Sequence, residues 1–131
     1  MSDKRQIVAG AANHYVGIMR NLAPLIHRQR LVVEGIPAAM VAEDQIRTYL
    51  RELSAVVEMT ALIEPMTHRS DKFGWAGWIH WEESGAHFYA WEQPSLFFSV
   101  DIYTCRWFDA DTVIKYTDEY FGCTQIVHRE F

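Results

Sequence analysis

The chain has 131 residues, which can bury one hydrophobic core but are too few for two domains of ordinary size. Its 17 acidic and 12 basic residues give a formal net charge of -5, which excludes the basic pattern typical of proteins that bind nucleic acid or anionic membranes. No signal-peptide core and no apolar run of about 18 residues occurs near the N-terminus, so we expect a cytoplasmic protein without a membrane-spanning segment.

The first predicted element is an amphipathic helix over residues 4–23, which Pro24 ends. Apolar side chains recur there at spacings of three and four, which places them on one helical face. These are Ile7, Val8, Ala11, Tyr15, Ile18, Met19 and Leu22. We assign residues 1–28 as an N-terminal helical extension and residues 29–131 as the main domain. The apolar face of the extension is expected to pack on that domain or on a second subunit.

The main domain is predicted to begin with a strand over 30–35, where β-branched residues precede a glycine. A helix follows over 41–57, because apolar residues there repeat with helical spacing. A second strand is predicted over 59–64, and Pro65 ends it. These elements place a strand, a helix and a strand in succession.

The remaining sequence is dense in strand-forming residues. Three strands are predicted over 75–81, 86–91 and 97–103, because aromatic and β-branched residues fill these ranges and turn residues separate them. A helix over 109–120 and a last strand over 124–128 complete the domain. The element order predicts an α+β two-layer sandwich, with a mainly antiparallel sheet, helices on one face and the extra N-terminal helix.

The two cysteines, Cys105 and Cys123, lie far apart in the sequence and lack C-x-x-C spacing or paired histidines. This pattern predicts free thiols and no metal site.

The segment most informative about function is Glu83-Ser84-Gly85-Ala86-His87-Phe88-Tyr89-Ala90-Trp91, followed by Asp101-Ile102-Tyr103-Thr104-Cys105. Taken alone, Glu-Ser-Gly between two aromatic strands is an ordinary hairpin turn. Together with the preceding Gly74-x-x-Gly77, the two segments resemble those of the bacterial-type S-adenosylmethionine decarboxylases. That family reads E-S-H, then H-T-W-P-E, then D-L-F-x-C, and the resemblance covers about 30 to 131.

The resemblance implies a pyruvoyl cofactor and a carboxy-lyase activity. In the family, backbone cleavage converts the serine at the position of Ser84 into a pyruvoyl group, the electron sink for decarboxylation, and the product enters polyamine synthesis. Cys105 matches the cysteine that protonates the α-carbon, and Glu83 precedes the cleavage point. Family members associate through their sheets, so a homo-oligomer, a dimer or higher, is implied.

The same resemblance suggests how S-adenosylmethionine would be bound. Phe73 and Trp91 could supply rings for adenine or the sulfonium, and Glu92 could reach the ribose hydroxyls. The family's W-P-E has become Trp91-Glu92-Gln93-Pro94 in this chain, and Ser70 stands at the position of an adenine-facing aromatic residue.

Two further departures bear on cleavage. Ala76 and Tyr89 occupy the positions of a family serine and histidine that assist the acyl shift and the elimination. Alanine supplies no proton, and a phenol, which ionises only near pH ~10, is a poor general base at neutral pH. His87 lies on the same strand face as Tyr89 and could replace the missing histidine, or it could be a structural residue of the sheet.

Three functions therefore stay open. The first is a protein that binds or decarboxylates S-adenosylmethionine, with decarboxylation requiring self-processing at Ser84. The second is a non-processing paralogue that serves as a regulatory or structural partner subunit. The third is a cofactor-free lyase that cleaves S-adenosylmethionine, for which Tyr89 and Glu83 would be the available polar groups.

Overall fold

The computed structural model describes residues 19–131, which form six strands and two helices. In chain order these are β1 (Gln29–Ile36), α1 (Glu43–Val56), β2 (Met66–Ser70), β3 (Gly74–Trp81), β4 (Ser84–Trp91), β5 (Phe97–Thr104), α2 (Ala110–Phe121) and β6 (Gln125–Glu130). The strands make one sheet in the order β2-β3-β4-β5-β1-β6, and each neighbouring pair is antiparallel.

Helices α1 and α2 pack on one face of this sheet and enclose the hydrophobic core. Side chains alternate along the strands, so that Phe88 is fully buried while its neighbours His87 and Tyr89 are exposed on the opposite face. Tyr49 of α1 is at the centre of the core, and its ring stacks on Tyr116 of α2 with centroids 5.2 Å apart. The predicted α+β two-layer sandwich is confirmed.

Polar groups inside the core are paired. The Tyr49 and Thr117 hydroxyls lie 2.7 Å apart, and burial raises the pKa of the Tyr49 phenol. The Trp81 indole N–H donates to Ser54 Oγ at 2.8 Å, and both residues are buried. Within residues 19–131, no buried side-chain nitrogen or oxygen lacks a hydrogen-bond partner. The core therefore has a defined polar pattern as well as apolar packing.

The predicted strand over 59–64 is wrong. Ala61 makes only an isolated bridge to Trp81, and Leu62 and Ile63 are exposed. The second strand begins after Pro65, at Met66, and pairs only with β3 at the edge of the sheet. An edge strand needs no apolar face, so the polar sequence of β2 gave no alternating pattern to recognise.

The predicted helix over 4–23 falls mostly on residues 1–18, which lie outside the described residues. Residues 19–23 are not helical, so the prediction is wrong for its last five positions. Asn21 Oδ1 accepts a hydrogen bond from the Ala23 N–H at 3.0 Å, a local turn that competes with helix formation. The division of the chain into 1–28 and 29–131 stays a prediction.

Candidate functional site

Ser84 is the first residue of β4 and follows the tight turn made by Glu82 and Glu83. Its φ angle is 135°, in a region that favours glycine and that other residues adopt only under strain. Strain of this kind is worth on the order of 1–3 kcal/mol and persists where the surrounding hydrogen bonds enforce it. The hairpin therefore holds a partly exposed serine in a strained backbone.

Contacts from two other segments hold the hairpin. The Glu82 N–H donates to Thr60 O at 2.8 Å, and the Cys105 N–H donates to Glu83 O at 2.9 Å. Glu83 Oε1 accepts from the Thr60 N–H at 3.3 Å, so this carboxylate is directed toward residues 58–61. Ser84, Glu83 and Cys105 thus lie together at one end of the sheet, and Cys105 is exposed.

The face of the sheet opposite the helices is covered by no element of residues 19–131 and has a cavity of about 570 Å³ beside Ser84. We call it the Gly85 cavity. Its lining residues are Arg30, His80, Ser84, Gly85, Ala86, His87, Asp101 and Tyr103. This volume lies within the range of small-molecule pockets, roughly 300–1,000 Å³.

Strand register explains why the cavity lies there. Gly85 is opposite His80 of β3 on one side and Tyr103 of β5 on the other. A glycine between two ring-bearing residues leaves a gap in the layer of side chains. A Cβ atom at Gly85 would be 2.4 Å from the Ile79 carbonyl oxygen, so a larger residue requires the backbone to shift.

His87 and Tyr89 lie farther along β4 on the same face. The Tyr89 hydroxyl is 3.5 Å from His87 Nδ1, and Tyr89 pairs directly with Ala76 of β3. The two positions at which the resemblance implies a serine and a histidine are therefore neighbours in space. Of these three residues, only His87 lines the cavity with Ser84.

The predicted substrate-binding residues Phe73, Trp91 and Glu92 are at the other end of the strands. Trp91 follows Ser84 by seven positions on β4, a distance of about 23 Å at ~3.3 Å per residue. Within one subunit, these three side chains are not brought together with Ser84. A similar separation, six positions, keeps Tyr89 away from Glu83 within one subunit.

Glu92 already has a partner. Both of its carboxylate oxygens accept from Arg69, at 2.8 and 2.9 Å, and this pairing lowers the pKa of Glu92. The Arg69 guanidinium also lies 5.5 Å from the Trp75 ring centroid. The carboxylate could contact a ribose only by giving up part of this pair.

Outside residues 84–87, four lining residues of the Gly85 cavity were not among the predicted site residues. These are Arg30, His80, Asp101 and Tyr103. Asp101 belongs to the D-I-Y-T-C segment, which was one available signal. His80, Tyr103 and Arg30 come from three different strands, so only the register of the sheet identifies them as neighbours.

No group of three or more His, Cys, Asp or Glu side chains that could hold a metal ion occurs in residues 19–131. No helix there is long and apolar enough to cross a bilayer.

Comparisons with known proteins agree with this fold. The chain is similar in structure to the adenosylmethionine decarboxylase of Aquifex aeolicus, with a TM-score of 0.66 and 15% sequence identity over 81% of this chain and 89% of that chain. A search of curated proteins finds no significant match. The sequence profile of the S-adenosylmethionine decarboxylases matches residues 32–131. Because that match spans most of the sequence, the chain belongs to the S-adenosylmethionine decarboxylase family.

Proposed function

We propose that the protein binds S-adenosylmethionine on the open face of the sheet beside Ser84, as a decarboxylase-like lyase of its family. The observation that carries this proposal is the strained Ser84 at the edge of the Gly85 cavity, with the Cys105 backbone held against the same turn. Aromatic rings on this face, including Tyr89 and Tyr103, suit a sulfonium cation, because the faces of such rings are electronegative.

Decarboxylation additionally requires that Ser84 be converted to a pyruvoyl group. The residues around Ser84 fit this conversion only in part. The strained serine and Cys105 are present, but Ala76 and Tyr89 offer neither the hydrogen bond nor the base expected at their positions. His87 is the histidine closest to Ser84 in sequence, and its Nδ1 is already in contact with the Tyr89 hydroxyl. We therefore expect the chain to remain intact.

The mass of purified protein tests this expectation directly. An intact chain supports the second candidate function, a non-processing paralogue, which these substitutions favour. Fragments of 1–83 and 84–131 that disappear in Ser84→Ala would instead establish self-processing and make decarboxylation the leading activity. Carbon dioxide release from labelled S-adenosylmethionine then measures that activity.

Binding is tested separately from processing. Calorimetric titration with S-adenosylmethionine should show saturable heat, and ligand at ~100 times the dissociation constant should raise the unfolding free energy by about 2.7 kcal/mol. Titrations without heat or a thermal shift would refute the proposed function. The cofactor-free lyase would need Tyr89 and Glu83 at one site, whereas Glu83 lies in the turn before β4 and Tyr89 lies six positions farther along the chain.

We also propose that the protein forms a homo-oligomer through the open face of the sheet. Tyr89 is 43% exposed, Tyr103 49% and Val127 63%, and all three lie on this face. A second subunit that packs there could bring its own Trp91 end toward Ser84. Light scattering of the full chain should give at least a dimer, and replacing Val127 with Arg should shift it toward monomer.

A further inference from the structure

The Gly85 cavity has the shape of a slot for a flat group. His80 and Tyr103 are opposite Gly85 on the two adjacent strands, so their Cα atoms are about 10 Å apart at ~4.8 Å per strand. Two rings that both touch an inserted planar group are roughly 7–8 Å apart. The gap above Gly85 therefore takes one planar ring when each flanking ring leans toward it by about 1 Å.

One wall of this slot is already held in place. The His80 ring contacts Trp78, with ring centroids 4.7 Å apart, and its Cδ2 would be 3.4 Å from a Cβ atom at Gly85. The indole thus packs beside the imidazole on the same strand and restricts its movement. The other wall, Tyr103, is 49% exposed within one subunit, so its ring is not covered by residues 19–131 of the same chain.

A hydrogen-bond acceptor, Asp101, and a donor, Arg30, both line the cavity. Arg30 Nε and Nη2 donate to the two carboxylate oxygens of Asp101 at 3.0 and 2.7 Å. Each oxygen keeps a second lone pair, and Arg30 Nη1 donates to no group in residues 19–131. A ligand edge that carries an N–H donor next to an acceptor would complement this pair.

Adenine has such an edge. Its exocyclic amine donates and its neighbouring ring nitrogen N7 accepts, whereas guanine presents two acceptors at the corresponding positions. A carboxylate oxygen attracts the amine of adenine and repels the O6 atom of guanine. The charges at the slot thus favour adenine over guanine.

We propose that the Gly85 cavity is an adenine-binding slot, in which the ring inserts between His80 and Tyr103 and the Arg30–Asp101 pair recognises its edge. The inference rests on the proposed function, because S-adenosylmethionine carries adenine. It assigns the ring to a place that exists here because residue 85 is glycine, and Ser70 offers no ring at the alternative position.

Calorimetric titrations with S-adenosylmethionine, adenosine and guanosine test the slot on the full chain. Adenosine should bind about tenfold more tightly than guanosine, as expected for one edge-recognition pair. Replacing Tyr103 with Ala should weaken adenosine binding about tenfold, because a stacking ring is lost. Tyr103→Phe keeps the ring and should stay within about twofold of the parent.

The recognition of the edge needs its own variant. Asp101→Ala removes the acceptor and releases the Arg30 guanidinium, which suits the two acceptors of guanine. The preference for adenosine should therefore disappear in this variant. Trp107→Ala is the matched control, since Trp107 is an exposed aromatic residue outside the cavity lining, and it should leave both affinities unchanged.

The outcomes separate the slot from the proposed function. If S-adenosylmethionine binds equally well to the parent, Tyr103→Ala and His80→Ala, the function stands and the slot is refuted. If adenosine binds with the expected dependence on Tyr103 but S-adenosylmethionine does not bind, the slot stands and the proposed function fails. If neither ligand binds, both are refuted. A thermal melt of each variant confirms that the compared proteins are folded.

Discussion

The two faces of the sheet differ in both packing and chemistry. On the helix-covered face, Phe88, Val100 and Ile102 are fully buried, and every buried side-chain nitrogen and oxygen of the described residues is paired. On the open face, His87 and Asp101 lie opposite each other beside a cavity. Because residues alternate along each strand, the same strands supply stability on one face and candidate chemistry on the other. Neighbouring positions should therefore respond very differently to substitution.

The largest difference is expected between Phe88 and Tyr89, which are adjacent on β4 but point to opposite faces. Phe88→Ala leaves a cavity in the core and should lower the free energy of unfolding by about 3–5 kcal/mol. Tyr89→Ala should lower it by less than about 1 kcal/mol. Urea unfolding of both variants measures the pair. Tyr89 is 43% exposed within one subunit, so a subunit contact there adds less packing than the core gives Phe88, and equal losses would contradict the comparison.

A smaller effect is expected from the polar pattern of the core. Ser54→Ala removes the acceptor of the Trp81 indole N–H and should lower the unfolding free energy by about 1–3 kcal/mol, because a buried donor is left unpaired. Ser99→Ala is the control on the open face and should change it by less than about 0.5 kcal/mol. Equal effects of the two variants in urea unfolding would contradict this prediction.

Strain at Ser84 should appear as a gain in stability. Ser84→Gly permits the φ angle of 135° without a Cβ atom, and we expect it to raise the unfolding free energy by about 1 kcal/mol. Ser84→Ala removes the hydroxyl but keeps the Cβ atom, so it should not stabilise the protein. If both variants gain stability equally in thermal melts, the hydroxyl and not the backbone is responsible.

The two thiols provide the smallest and most local comparison. Burial, and then the nearby Asp118, raise the pKa of Cys123 to about 11, so little reactive thiolate exists at pH 8. Cys105 is exposed beside the Ser84 turn. A thiol reagent at pH 8 should label Cys105 first, as followed by mass spectrometry. Cys105→Ser should remove the fast phase, and Cys123 labelling should accelerate only as pH rises toward 11.

Much of the fold could be predicted because the signals are local. The aromatic strands around residues 75–103 and the α2 helix, capped by Asp109 and ended by Gly122, were all recognisable from composition and turn residues. The β2 strand was not, because an edge strand of polar residues has no alternating apolar pattern.

The candidate site could be predicted only where it follows a contiguous motif. Ser84, Glu83 and Cys105 come from such motifs and meet at one end of the sheet. The cavity could not be predicted in this way, because its residues come from four strands and their proximity depends on register. Gly85 illustrates the difference, since in the sequence it is a turn residue and in the sheet it makes a gap between two rings.

The central position of β4 has a consequence for any chain cut before Ser84. The first piece would contain β1 to β3, and the second β4 to β6, yet β1 pairs with both β5 and β6 and therefore inserts between two strands of the other piece. The two polypeptides would be interleaved and would remain together after the break. The protein is thus a natural candidate for fragment complementation, and residues 1–83 and 84–131 produced from separate genes should assemble into one sheet.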